Sequence, residues 1–217
     1  MIVNIYKPKG ITSFGVVKKI RKIVGEKKVG HGGTLDPFAE GVLIIGTSSD
    51  TKELKKITDS DKTYTASIEL GKTTNTLDPE GDVIKKKKIP ILSKSKINKV
   101  LDSFLGLSMQ TPPMFSAKKV GGVKLYELAR KNIIVDRRPT RINISDINII
   151  NYNETNIVFN VSCSKGTYIR VLGKEIAEKL GTVGHLNSLI RTSVGKYAIN
   201  DSVSLDQFKL LWKSYTH

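Results

Sequence analysis

Apolar positions recur at helical spacing early in the chain: Val16, Val17, Ile20, Ile23 and Val24 predict a helix over residues 14–24, with Ser13 as its cap and Gly25 as its stop. A glycine-rich, proline-containing stretch follows, and behind it the short apolar run 42–45 fits a strand entered through an irregular loop. Residues 63–70 alternate, with Tyr64, Ala66, Ile68 and Leu70 on one face and Thr63, Thr65, Ser67 and Glu69 on the other, which predicts a half-buried strand. Asp78-Pro79 with Gly81 reads as a turn, and the lysine run 85–88 as an exposed connection. Ile97, Val100, Leu101, Phe104 and Leu105 predict a helix over 95–105 that Gly106 ends. Segments 142–150 and 157–163 flank a polar turn and predict a hairpin. Ile169, Leu172, Ile176 and Leu180 mark a helix over 168–180 with Thr167 as its cap, and a last helix is expected over about 204–212. Between 107 and 139, Pro112-Pro113, Gly121-Gly122 and a short helical pattern near 125–130 suggest an extended, mobile insertion. No repeat or flexible linker interrupts the pattern, so it predicts one mixed α/β domain carrying that insertion.

Composition narrows the class. With 217 residues, 39% of them hydrophobic, the chain can build a core. No apolar run approaches the roughly 18 residues needed to cross a bilayer, and the first ten residues lack a signal peptide's apolar centre, so a cytoplasmic location with no membrane partner is expected. The single Cys163 excludes an internal disulfide; it continues the alternating stripe Ile157, Phe159, Val161 and reads as a small hydrophobe, not a nucleophile. One cysteine and 3 histidines disfavour zinc. The formal charge of +16 favours a polyanionic partner, nucleic acid first, although lysine-rich usage can also follow from an AT-rich genome. Clustering favours phosphate contacts: seven lysines and no acid lie in 83–99, and eight basic residues in 118–141 face only Glu127 and Asp136.

Five blocks then stand in order: KPKGITSFGVVKKIR; GHGGTLDP followed by EGVL; KTYTASIELG followed by TNTLDPEGDV; QTPPMFSAKK followed by LYELAR; and SKGTYIRVLGKEI. Together they resemble the TruB family of tRNA pseudouridine synthases over residues 5 to about 200. The resemblance implies an α+β pseudouridine synthase fold, with a mixed, mainly antiparallel central sheet, flanking helices and a basic thumb insertion at about 107–139. It implies isomerisation of the tRNA T-loop uridine at standard position 55 without metal, nucleotide or redox cofactor. The partner is the tRNA T-arm stem-loop, and the expectation is a monomer with no obligate protein partner. Typical members continue into a C-terminal PUA-type RNA-binding domain, whereas this sequence ends at His217, so a single catalytic domain over 1–217 is expected.

The resemblance also assigns residues. Asp36 takes the place of the essential aspartate; a carboxylate is ionised at neutral pH, and Pro37 disfavours α conformation at the residue before it. Arg170 takes the place of the arginine that pairs with that aspartate, where a guanidinium fork would orient and hold it charged. Tyr64 and Tyr168 match the two active-site tyrosines, although Tyr64 also lies on its strand's apolar face as a core aromatic would. Leu189 matches an apolar residue packed against the base, and is equally a core position. His31 matches the residue that fills the space left by a flipped base. Lys118, Lys119, Lys124 and Arg130 are the thumb's candidates for phosphate contacts. Three departures stand out. Gly32 replaces a usual threonine and should loosen the loop, Phe115 replaces a usual tyrosine, and the chain ends before a PUA-type domain. An RNA chaperone acting on the tRNA elbow without needing catalysis is the alternative; a basic ribosome-associated structural protein fits the charge but not the blocks.

Overall fold

The computed structural model describes residues 1–215. In chain order the first elements are β1 (Ile2–Lys7), α1 (Ser13–Val24), β2 (Val29–His31), β3 (Glu40–Thr47), α2 (Leu54–Asp59), β4 (Lys62–Leu70), β5 (Lys72–Thr74), β6 (Val83–Lys86) and α3 (Lys94–Asp102). Then follow β7 (Gly106–Gln110), β8 (Lys119–Val120), β9 (Val123–Lys124), α4 (Leu125–Ala129), β10 (Thr140–Tyr152), β11 (Asn156–Cys163), α5 (Ile169–Lys179), β12 (Gly184–Val194), β13 (Tyr197–Ala198) and α6 (Leu205–Tyr215). The fold is α+β with mainly antiparallel strand pairing. Residues 1–64 with 189–217 form one compact unit and residues 65–188 a second, the chain passing between them inside β4 and again inside β12.

In the first unit β3 is central, antiparallel to β1 and β2 and parallel to β12. Leu43 and Ile45 pack with Ile5, Val16, Val17, Ile20, Val29 and Phe208, while Val42 and Ile44 pack with Leu54 and Val194. Both faces of β3 are therefore buried, which is why 42–45 is apolar throughout instead of alternating. Helix α1 ends at Gly25 in left-handed backbone (φ 73°), as its sequence predicts, but its cap is Thr12, whose side chain accepts from the Gly15 N–H. Ser13 is buried and has another partner.

In the second unit the strands run in the order β12-β4-β11-β10-β7. Strand β11 buries Ile157, Phe159, Val161 and Cys163 on the expected stripe and pairs antiparallel with β10. Helix α3, expected over 95–105, runs from Lys94 to Asp102, and Ser93 caps it by accepting from the Lys96 N–H. Thr167 does not cap α5: its hydroxyl donates to the Ser164 carbonyl, and Tyr168 holds the cap position. Lys85 and Lys86 of the lysine run lie in an exposed strand, β6, paired with β5 in a small hairpin, and Lys87 and Lys88 follow it. Residues 107–110 belong to β7, in register with β10. The remainder of the insertion is folded back on itself: β8 and β9 pair, Leu125 of α4 is fully buried, and Arg137 Nη1 donates to the Pro112 carbonyl at 3.2 Å. No described helix is long and apolar enough to cross a membrane.

Candidate active site

Asp36 lies half-buried on the loop between β2 and β3. The residue before it, Leu35, is fixed at both backbone groups by Ser13 Oγ, which accepts from the Leu35 N–H at 2.8 Å and donates to its carbonyl at 3.0 Å. The residue after it, Pro37, offers its carbonyl to the Gly10 N–H at 2.9 Å and to Lys7 Nζ at 3.3 Å. Lys7 is completely buried at the end of β1, and its ammonium also donates to the carbonyls of Ile11 at 2.7 Å and Pro8 at 2.9 Å. Arg191, 1% exposed on β12, spreads its guanidinium over three more carbonyls: Gly33 and Thr34, both at 3.2 Å, and Val42 at 2.8 Å. The Asp36 carbonyl accepts from the Ala39 N–H at 3.2 Å. The carrier of Asp36 is thus held through its backbone by Lys7, Ser13 and Arg191, leaving the carboxylate to its own contacts. Buried main-chain groups satisfied in this way resist local opening.

Two glycines complete this packing. Gly41 has φ +108°, and a Cβ there would collide with the backbone carbonyl of Arg191 where β3 and β12 run side by side. Gly32 was expected to loosen the loop; instead its N–H donates to the Ile44 carbonyl at 2.8 Å, and a Cβ would meet Ile57 Cγ2 at 3.0 Å. The glycine permits close packing of α2 and does not free the loop.

His31 ends β2, opposite Ile45. Burial holds its pKa below the ordinary imidazole value, the Arg191 charge pushes it lower still, and a Gly33 backbone group works weakly the other way. Its Nδ1 is buried without a hydrogen-bond partner. The ring is thus neutral near pH 7. Tyr64 and Leu189 occupy buried positions on β4 and β12.

The second unit holds Tyr168 and Arg170. Tyr168 is clamped through its main chain by Gln110, whose amide accepts from the Tyr168 N–H at 2.8 Å and donates to its carbonyl at 3.2 Å. Arg170 is 4% exposed; Nη1 donates to the Thr76 carbonyl and Nη2 to the Phe115 carbonyl, each at 2.7 Å. Asp78 Oδ2 stands 3.4 Å from Nη1, a buried ion pair. Asp78 also accepts from Thr76 Oγ1 at 2.6 Å and the Glu80 N–H at 3.1 Å, so the residue read as a simple turn former both makes the turn and faces Arg170. Phe115 serves Arg170 through its carbonyl, a role that does not depend on a phenol hydroxyl.

On the thumb, Lys124 and Arg130 lie over the Tyr126 ring, each 5.5 Å from its centroid, and Lys124 stands 4.0 Å from Glu127. Lys118 and Lys119 have no ion pair among the described residues; Lys119 pairs with Lys124 across the β8–β9 hairpin. Sequence reading missed Lys7, Ser13 and Arg191 around the Asp36 loop, and Gln110 and Asp78 as partners of Tyr168 and Arg170. Lys7, Ser13, Gln110 and Asp78 do lie within the five blocks, which is the one signal that could have found them; Arg191 lies outside them.

Comparison with known proteins identifies the family. Residues 21–169 match the family model described as TruB family pseudouridylate synthase (N terminal domain). The tRNA pseudouridine synthase B of Hydrogenovibrio crunogenus is 42% identical over 99% of this chain and 71% of its own length. That of Clostridium kluyveri is 45% identical over 94% of this chain and 71% of its own. Among solved structures, an H/ACA RNP bound to a substrate RNA containing 2'-deoxyuridine superposes with a TM-score of 0.74 at 25% identity; this chain spans 55% of that protein's length. A Cbf5-Nop10-Gar1 complex superposes with a TM-score of 0.75 at 26% identity over 56% of its matched chain. The chain belongs to the TruB family of pseudouridylate synthases.

Proposed function

We propose that this protein converts uridine 55 in the T-loop of tRNA to pseudouridine. The N1–C1′ glycosidic bond breaks, the uracil turns, and a C5–C1′ bond forms, with the proton lost from C5 balanced by one gained at N1. The base must leave its stack to be reached, and flipping places it in the site. Asp36 is the essential carboxylate, Arg170 its orienting cation and Tyr64 the aromatic against the base, with Tyr168 and Leu189 lining the pocket. His31, neutral and flat, takes the vacated space in the RNA. Lys118, Lys119, Lys124 and Arg130 contact phosphates, and the reaction runs within a single catalytic domain without cofactor, in the cytoplasm. The observation that carries this reading is the loop geometry: Lys7, Ser13 and Arg191 fix the backbone around Asp36, the preorganisation that a positioned carboxylate needs.

The test is incubation of purified protein with an unmodified tRNA transcript, without added metal or nucleotide, followed by mapping of pseudouridine. Modification confined to the T-loop uridine and lost in Asp36→Asn is the expected result. Tight tRNA binding by the unsubstituted protein with no pseudouridine formed would overturn the enzymatic reading in favour of an RNA chaperone.

A further inference from the structure

Phe14 is 51% exposed on α1, and the positions one and two turns further along the same stripe carry cations. Lys18 Nζ lies 5.3 Å and the Arg21 guanidinium 5.7 Å from the Phe14 ring centroid. Phe14 lies off the buried face of α1, which Ser13, Val16, Val17 and Ile20 fill, so its ring is available to a partner. Both ends of this stripe are tied to the segment that carries the site residues. At one end Ser13, adjacent to Phe14, holds Leu35, the residue before Asp36. At the other, Arg21 Nη2 donates at 3.2 Å to the carbonyl of Val29, at the start of the strand that ends in His31. An exposed flat ring framed by two positive charges presents a stacking face with an electrostatic hold on phosphate beside it.

We infer that Phe14, with Lys18 and Arg21, is a stacking platform for an unpaired nucleotide of the RNA substrate, beside the segment bearing His31 and Asp36. This rests on the proposed RNA substrate and adds to it a contact outside the thumb. The ring takes the base, Lys18 a flanking phosphate, and Arg21, packed over the ring, steadies it while anchored to β2. Because the base is met by its face, the contact tolerates any base.

The experiment measures tRNA affinity by filter binding, and single-turnover conversion at saturating RNA, for the wild type, Phe14→Ala, Phe14→Tyr and Lys18→Gln. Phe14→Ala should weaken affinity about tenfold, with the loss in Kd and not in the saturated rate, and Phe14→Tyr should restore it. Lys18→Gln should lower the salt slope of binding by about one, which Phe14→Ala should not. Melting temperatures of all variants should match the wild type, since the ring is exposed, which separates a contact from a structural role. Wild-type affinity in Phe14→Ala, or failure of Phe14→Tyr to restore it, overturns the platform while leaving the proposed function intact. A wild type that binds no tRNA overturns both.

Discussion

One hydroxyl satisfies both backbone groups of Leu35: Ser13 Oγ accepts from its N–H at 2.8 Å and donates to its carbonyl at 3.0 Å, directly before Asp36. Ser13 is 3% exposed, so water cannot take its place. Ser13→Ala should therefore leave two buried groups unpaired and lower stability by about 1–3 kcal/mol, read from urea denaturation. Displacement of Asp36 should reduce kcat by about tenfold or more at unchanged tRNA affinity. An alanine protein of full activity would mean that this contact does not position the carboxylate.

Arg191 makes the complementary prediction. Its planar fork reaches three carbonyls at once, and an ammonium on a flexible stem cannot reproduce that geometry. Arg191→Lys should cost roughly 3 kcal/mol through carbonyls left unpaired and a displaced buried charge. The same substitution should slow pseudouridine formation, because the Gly33 and Thr34 carbonyls lie on the Asp36 loop. A lysine protein with unchanged melting temperature and rate would refute this.

Asp78 shows what sequence alone withholds. Asp36-Pro37 and Asp78-Pro79 are the same dipeptide with the same turn chemistry, and no local spacing reveals that Asp78 is buried 3.4 Å from Arg170. The repeated elements were legible for physical reasons: β11 alternates because one face is buried, and α1 has a single apolar stripe. Strand β12 was not, because it buries His185 and Arg191 among its apolar residues, and polar residues at core positions erase the period. The caps of α1 and α5 moved because tertiary partners competed for the hydroxyls: Leu35 takes Ser13, and the Ser164 carbonyl takes Thr167. Asp78→Ala should destabilise the protein by about 3–5 kcal/mol, since it strands a buried guanidinium, and Asp78→Asn should cost less by keeping the turn's acceptor. Equal effects of the two substitutions would place the role of Asp78 in its charge beside Arg170 alone, not in the turn's hydrogen bonds.

His31 gives the chain an acid-sensitive term. Its pKa in the folded protein is lowered, first by burial and then by Arg191, so below the ordinary value near 6.5 the unfolded chain takes up a proton that the folded one refuses. Stability from this residue is therefore present above pH 6.5 and is lost as pH falls through that value towards the folded pKa. Urea midpoints measured between pH 5 and 7.5 should fall on the acid side, and His31→Gln should flatten that slope. An unchanged slope would show that His31 is protonated equally in both states.

The thumb's charges should be visible in salt dependence. Lys124 and Arg130 both lie over Tyr126, an arrangement that fixes two cations on one exposed hairpin and short helix. Each phosphate neutralised by such a cation releases condensed counterions, so the slope of log affinity against log salt counts the contacts, at about 0.7–0.9 per phosphate. Lys124→Ala and Arg130→Ala should each reduce that slope by about one and weaken tRNA binding at low salt more than at high salt. Removing a cation that only packs on Tyr126 would instead shift affinity equally at all salt concentrations. If neither substitution changes the slope, the thumb makes no phosphate contact through these residues. The same measurement would then be repeated on Lys118 and Lys119 and on Lys85 and Lys86 of the exposed strand β6.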